Sequence, residues 1–141
     1  MPRKGAFRSC DTAYEKDSSS FIASDSAGEN RDNITVKGGV TVRSTNGQVM
    51  LFAGDNLTVE ASALVSGEYG VTMNTDIGGN VDAGGGNVTI AGKLQTGSGK
   101  VFIGTSDAAD IVTISSSAQF DIGNTPALGV MNDFVLNTGA G

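Results

Sequence analysis

The sequence predicts an all-β chain wound as a right-handed parallel β-helix, with about four coils of three short strands and about 23 residues each. Three observations carry this expectation. A tripeptide of the form apolar-Thr-apolar recurs along the chain. Clusters of Gly and Asn separate its copies. The copies return at a near-constant interval, and no stretch shows a helical period.

The copies are Ile34-Thr35-Val36, Val40-Thr41-Val42, Leu57-Thr58-Val59, Val71-Thr72-Met73, Val88-Thr89-Ile90 and Val112-Thr113-Ile114. Looser versions are Val49-Met50-Leu51, Val101-Phe102-Ile103, Phe120-Asp121-Ile122 and Phe134-Val135-Leu136. Alternation of this kind is a strand with its two apolar side chains toward a core and the middle one outward. β-branched residues suit that pleated surface. The intervening turns are Lys37-Gly38-Gly39, Thr45-Asn46-Gly47, Gly54-Asp55-Asn56, Gly78-Gly79-Asn80, Gly84-Gly85-Gly86 and Gly97-Ser98-Gly99.

Strand centres sort into three columns: positions 35, 58, 82 and 102; positions 41, 65, 89 and 113; and positions 50, 72, 95 and 121. Within the middle column Val88 and Ile90 are expected to point inward. Their expected neighbours are Leu64 on one side and Val112 and Ile114 on the other. A single coil cannot bury its apolar face, whereas stacked coils bury a continuous column. The alternative architecture is an antiparallel β-sandwich, which also uses short strands and frequent turns but requires no such period. The domain reading places a polar, disordered segment at residues 1–32, which hold five of the nine basic residues and six of the fifteen acidic ones. The repeat domain then occupies residues 33–141.

Composition removes several function classes. Histidine is absent, which excludes Ser-His-Asp and Cys-His nucleophile systems and His-ligated metals. A single cysteine, Cys10, forms neither an internal disulfide nor a multi-cysteine zinc site. The net charge of −6 opposes binding to nucleic acid through its phosphates. No window of 18 apolar residues suggests a membrane-spanning helix. The first residues carry positive charge but lack the apolar run of an export signal.

The run Val49-Met50-Leu51-Phe52-Ala53-Gly54-Asp55-Asn56-Leu57-Thr58-Val59 resembles the repeats of filamentous-haemagglutinin-like and other giant bacterial surface proteins. The stretch from Gly79 to Gly92, with its Gly84-Gly85-Gly86-Asn87-Val88-Thr89-Ile90, is similar, as is Gly104 to Ile114. The resemblance spans residues 33–122. It implies a non-catalytic structural module of a secreted or surface-exposed adhesin-like protein. Its implied partners are neighbouring repeats of a longer chain, and host-surface or carbohydrate ligands. An extracellular or cell-surface location is implied too, with this chain expected to be a fragment of a longer product.

Candidate chemistry is sparse. Asn74, Asp76, Asn80 and Asp82, with Gly78 between them, alternate like the oxygen ligands of a calcium loop. The bidentate Glu that should follow is missing, since position 85 is Gly. The competing reading is that Asn and Asp simply occupy turns, where they cap amides and tolerate left-handed backbone. Calcium is the one cofactor the sequence suggests, and otherwise none is expected. The pairs Asp107 with Asp110 and Asp76 with Asp82 offer carboxylates for a carbohydrate-processing or carbohydrate-binding β-helix, the alternative function. Short turns argue against the cleft that such chemistry requires. The outward Thr residues suggest an ice-binding face only if they align, and the three columns scatter them. Asn33-Ile34-Thr35, Asn56-Leu57-Thr58 and Asn87-Val88-Thr89 match the glycosylation acceptor pattern, and they also follow from Asn turns preceding strands.

Overall fold

The computed structural model describes residues 8–15, 19–23, 32–77, 86–105, 110–123 and 134–138. Among these it contains thirteen strands and no helix. In chain order they are β1 (Arg8–Glu15), β2 (Ser19–Ala23), β3 (Ile34–Ser44), β4 (Gln48–Ala53), β5 (Leu57–Val59), β6 (Leu64–Gly67) and β7 (Gly70–Asn74). They continue as β8 (Val88–Ile90), β9 (Lys93–Thr96), β10 (Lys100–Thr105), β11 (Val112–Ile114), β12 (Gln119–Ile122) and β13 (Phe134–Thr138).

Every pairing among the described strands is parallel, which excludes the antiparallel sandwich. The strands form three stacks, the walls of a β-solenoid. The first stack runs through the start of β1, the start of β3, then β5, β8 and β11. The second uses the ends of β1 and β3, then β6, β9 and β12. The third is β2, β4, β7, β10 and β13. One strand, β3, serves two walls because it bends at Lys37-Gly38-Gly39. Gly39 takes φ of 81°, a left-handed conformation that glycine adopts without steric cost.

Alternation in the sequence becomes alternation in burial. Val88 and Ile90 are fully buried, while Thr89 between them is half-buried. The interior is a set of short aliphatic columns: Val36, Val59 and Ile90; Val42, Val65 and Leu94; Val49, Val71 and Val101; Leu51, Met73 and Ile103. Burying two such side chains contributes about 3–6 kcal/mol per three-residue strand. Fixing that strand's backbone costs a similar amount, about 3–6 kcal/mol. Such a strand is therefore near balance alone, and the pairing on both of its edges decides stability.

The assigned columns hold only as far as residue 77, and there the second is one residue out of register, since Thr41 pairs with Leu64 and Val65 with Val42. Thr35, Thr58, Thr89 and Thr113 are all register partners in the first stack, at intervals of 23, 31 and 24 residues. The long interval includes residues 78–85, and a constant 23-residue period cannot absorb it. Positions 89 and 113 therefore move from the second column to the first, 95 and 121 from the third to the second, and 102 from the first to the third. Position 82 lies outside the described residues. Val88 and Ile90 pair with Leu57 and Val59, not near Leu64, while Val112 and Ile114 follow on the other side as expected.

β1 and β2 lie within residues 1–32 and pair with β3 and β4. Ala23 is buried, and Phe21 packs against the core. These strands lack the apolar-Thr-apolar signature; backbone pairing along an existing edge accounts for their placement.

Candidate functional site

The polar residues that the sequence places at turns converge on one corner of the solenoid, just ahead of the first stack. There a pentad repeats from coil to coil: Asp32-Asn33-Ile34-Thr35-Val36, Asp55-Asn56-Leu57-Thr58-Val59 and Gly86-Asn87-Val88-Thr89-Ile90. Its last copy is Asp110-Ile111-Val112-Thr113-Ile114.

The asparagines form a ladder. Asn33 Oδ1 accepts from the Asn56 amide N–H at 3.0 Å and from Asn56 Nδ2 at 2.9 Å. Asn56 Oδ1 accepts from the Asn87 N–H at 3.2 Å and from its Nδ2 at 3.3 Å. Asn87 Oδ1 accepts from the Ile111 N–H at 2.9 Å. Each rung thus satisfies a backbone donor that the bend leaves outside the strand ladder. The acceptor-pattern asparagines are half-buried, and the Nδ2 groups of Asn56 and Asn87 are engaged in coil-to-coil bonds. Their arrangement supports a structural role rather than glycosylation.

Beside the ladder lie buried acids. Asp32 and Asp55 are 0% exposed, and the Asp32 N–H donates to Asp55 Oδ2 at 2.6 Å. The Asp55 N–H returns a bond to the Asp32 carbonyl at 3.1 Å. In the next coil the position is Gly86, with φ of 81°. A Cβ there would collide with the Asp110 carboxylate, which occupies the space a side chain at 86 would need. The Thr75 hydroxyl donates to the Gly86 carbonyl at 2.6 Å across the interior.

The candidate calcium turn is only partly described. Asn74 closes β7 and is half-buried; its Oδ1 lies against the Gly104 backbone. Asp76 is half-buried with φ of 54°. That left-handed backbone is what the turn reading gives for an Asp. Asn80 and Asp82 lie outside the described residues, as does Asp107. Among the described residues no three acidic or cysteine side chains gather as a metal site would require.

The outer walls carry two features. Thr35, Thr58, Thr89 and Thr113 form one aligned row on the first stack, so the expected scattering does not hold for these four. Thr41 and Thr72 belong to the other walls. Ion pairs cross between coils: Lys37 with Glu60 at 2.9 Å and Lys93 with Asp121 at 3.0 Å. The Lys37 hydrogen bond, aided by the Gly38 N–H, holds Glu60 below the usual carboxylate range against a small desolvation effect. Lys93 does the same for Asp121, whose Oδ2 also accepts from Gln95 Nε2 at 3.1 Å.

A shallow groove of about 370 Å³ follows the corner between the first two walls, where Ser62, Leu64, Lys93, Ser117 and Gln119 contribute to its lining. Short side chains such as Ala61 and Gly92 leave the space open. The Ser117 hydroxyl is turned to the Ala91 carbonyl at 2.8 Å.

No family model matches the chain, and neither a curated protein nor a solved structure matches it.

Proposed function

We propose that this chain is a non-catalytic structural module, a stiff spacer segment of a bacterial adhesin-like protein at the cell surface or outside the cell. The observation that carries the reading is the Asn33–Asn56–Asn87 ladder. The turn residues best suited to bind something else are spent on joining one coil to the next. The cross-coil ion pairs act in the same direction. A rod stiffened this way transmits position along its axis and holds a distant region away from its anchor. The resemblance of residues 33–122 to surface-protein repeats supplies the biological setting of the proposal. Its test places the module between two fluorescent domains and measures their separation. A narrow distance distribution supports a spacer; a broad one, like that of a flexible linker of equal length, overturns it.

The groove beside Ser62, Lys93 and Gln119 favours a second reading, carbohydrate binding. Oligosaccharide arrays test it. Binding that Lys93→Ala and Gln119→Ala abolish would replace the spacer reading.

A further inference from the structure

We propose that Asn46 is a self-modification site, its side-chain amide converting without an enzyme to aspartate and isoaspartate through a cyclic imide closed by the Gly47 backbone nitrogen. The conversion belongs to the corner itself and holds whichever function the chain serves.

Three observations carry it. The first is the order of residues. Asn46 is the one asparagine of the chain that is followed by glycine. Glycine has no Cβ to obstruct the approach of its nitrogen to the preceding side chain, and its bond rotations are the least restricted. Asparagine side chains in turns reach the backbone just ahead of them.

The second observation is the length of the corner. Thr45-Asn46-Gly47 links the second wall to the third. Ser44 pairs with Gly67 and Gln48 with Gly70, so these three residues face the two-residue corner Glu68-Tyr69 of the next coil. The Glu68 N–H donates to the Ser44 carbonyl at 3.1 Å, and the Tyr69 N–H donates to the Gly47 carbonyl at 3.0 Å. Both amides of the shorter corner are thus used at the two ends of the longer one. Thr45 and Asn46 span the interval between these ties, and Asn46 is exposed.

The third observation is the contrast with Asn33, Asn56, Asn74 and Asn87. At each of them the nitrogen that would attack already donates between coils. The Ile34 N–H reaches the Asn56 carbonyl at 2.9 Å and the Leu57 N–H the Asn87 carbonyl at 2.9 Å. The Thr75 N–H reaches the Gly104 carbonyl at 3.2 Å and the Val88 N–H the Ile111 carbonyl at 3.0 Å. All four asparagines are half-buried. Closing an imide at any of them breaks a bond that holds the stack together.

The chemistry needs only water and hydroxide. The Gly47 nitrogen gives its proton to hydroxide and attacks Asn46 Cγ. The Cγ–Nδ2 bond breaks, and Nδ2 leaves as ammonia with a proton taken from water. A second water then opens the imide at either carbonyl. Cleavage between the Gly47 nitrogen and Cγ leaves aspartate. Cleavage between that nitrogen and the residue-46 backbone carbonyl leaves isoaspartate, whose main chain runs through Cβ. Either product makes the net charge of −6 one unit more negative.

The experiment incubates the whole folded chain in mildly alkaline buffer beside a sample unfolded in urea, and maps peptides by mass spectrometry at intervals. The proposal expects conversion of Asn46 in the folded chain several-fold faster than at Asn33, Asn56, Asn74 or Asn87, with a rate that rises with pH. Gly47 takes a φ outside the left-handed region, and Gly47→Ala should slow the conversion several-fold. In Asn46→Gln the isoaspartate detected by an isoaspartyl methyltransferase should disappear. Asn46 that stays intact in the folded chain while the unfolded sample converts would overturn the proposal. So would equal conversion at the four stacked asparagines, an unchanged rate in Gly47→Ala, or isoaspartate that persists in Asn46→Gln.

Discussion

Ile90 and Ile114 share one column and one chemistry and differ mainly in burial, at 0% and 46% exposed. Truncating each to alanine therefore separates packing from composition. Ile90 sits between Val59 and Ile114, on strands paired along both edges, so its surroundings cannot collapse into the space left behind. Ile90→Ala should cost about 3–4 kcal/mol, in the upper part of the range for buried truncations. For a chain of this size that lowers the melting temperature by about 10 °C. Ile114→Ala removes half-solvated atoms at an open rim and should cost less than about 1.5 kcal/mol. Thr89→Asp, one residue from Ile90 but outward-facing, should stay near 0.5 kcal/mol. Thermal melts followed by circular dichroism measure all three. Equal losses for Ile90→Ala and Ile114→Ala would refute the burial argument. Greater damage from Thr89→Asp than from Ile90→Ala would refute the facing of β8.

Asn56→Ala removes the rung between Asn33 and Asn87 and leaves the Asn87 backbone N–H unmatched, so urea titration should show a loss of about 1–3 kcal/mol. Gly86→Ala should destabilise through collision with the Asp110 carboxylate and the left-handed backbone, and the double variant Gly86→Ala/Asp110→Ala should recover only part of the melting temperature. The depressed carboxyls of Glu60 and Asp121 give a pH signature. Because their folded pKa values lie below the unfolded ones, their contribution is present above the unfolded pKa and fades as pH falls through the folded pKa. Acid titration of the double variant Glu60→Gln/Asp121→Asn should therefore show a slightly shallower fall in melting temperature below about pH 4.5, an effect kept small by solvent exposure. Deleting residues 1–23 uncovers the β3 and β4 edges and should lower the melting temperature; an unchanged melt would mean that β1 and β2 add nothing to the stack.

The strands were legible in the sequence because each apolar-Thr-apolar triplet is both its own burial pattern and its own turn-bounded unit. The fold class followed from their recurrence. What failed was phase. A constant period treats every coil as equal, while the coil containing residues 78–85 is longer, and every later strand slipped by one wall. The pentad would have prevented this: aligning Asp55-Asn56-Leu57-Thr58-Val59 directly with Gly86-Asn87-Val88-Thr89-Ile90 fixes the register without any assumed period. The Asn ladder was hidden for a related reason. The same Asn-x-Thr letters serve a glycosylation signal, a turn and a coil-to-coil bond, and only the stacking of Asn33, Asn56 and Asn87 separates them. β1 and β2 were invisible because backbone pairing, which leaves no trace in side-chain pattern, accounts for their placement.

The register of the first wall is the claim on which the rest depends, and cross-strand nuclear Overhauser contacts read it directly. The account predicts backbone contacts linking Thr58 with Thr89 and Thr89 with Thr113, in the parallel pattern. Contacts linking Thr89 with Val65 instead, or any antiparallel pattern between these strands, would contradict it.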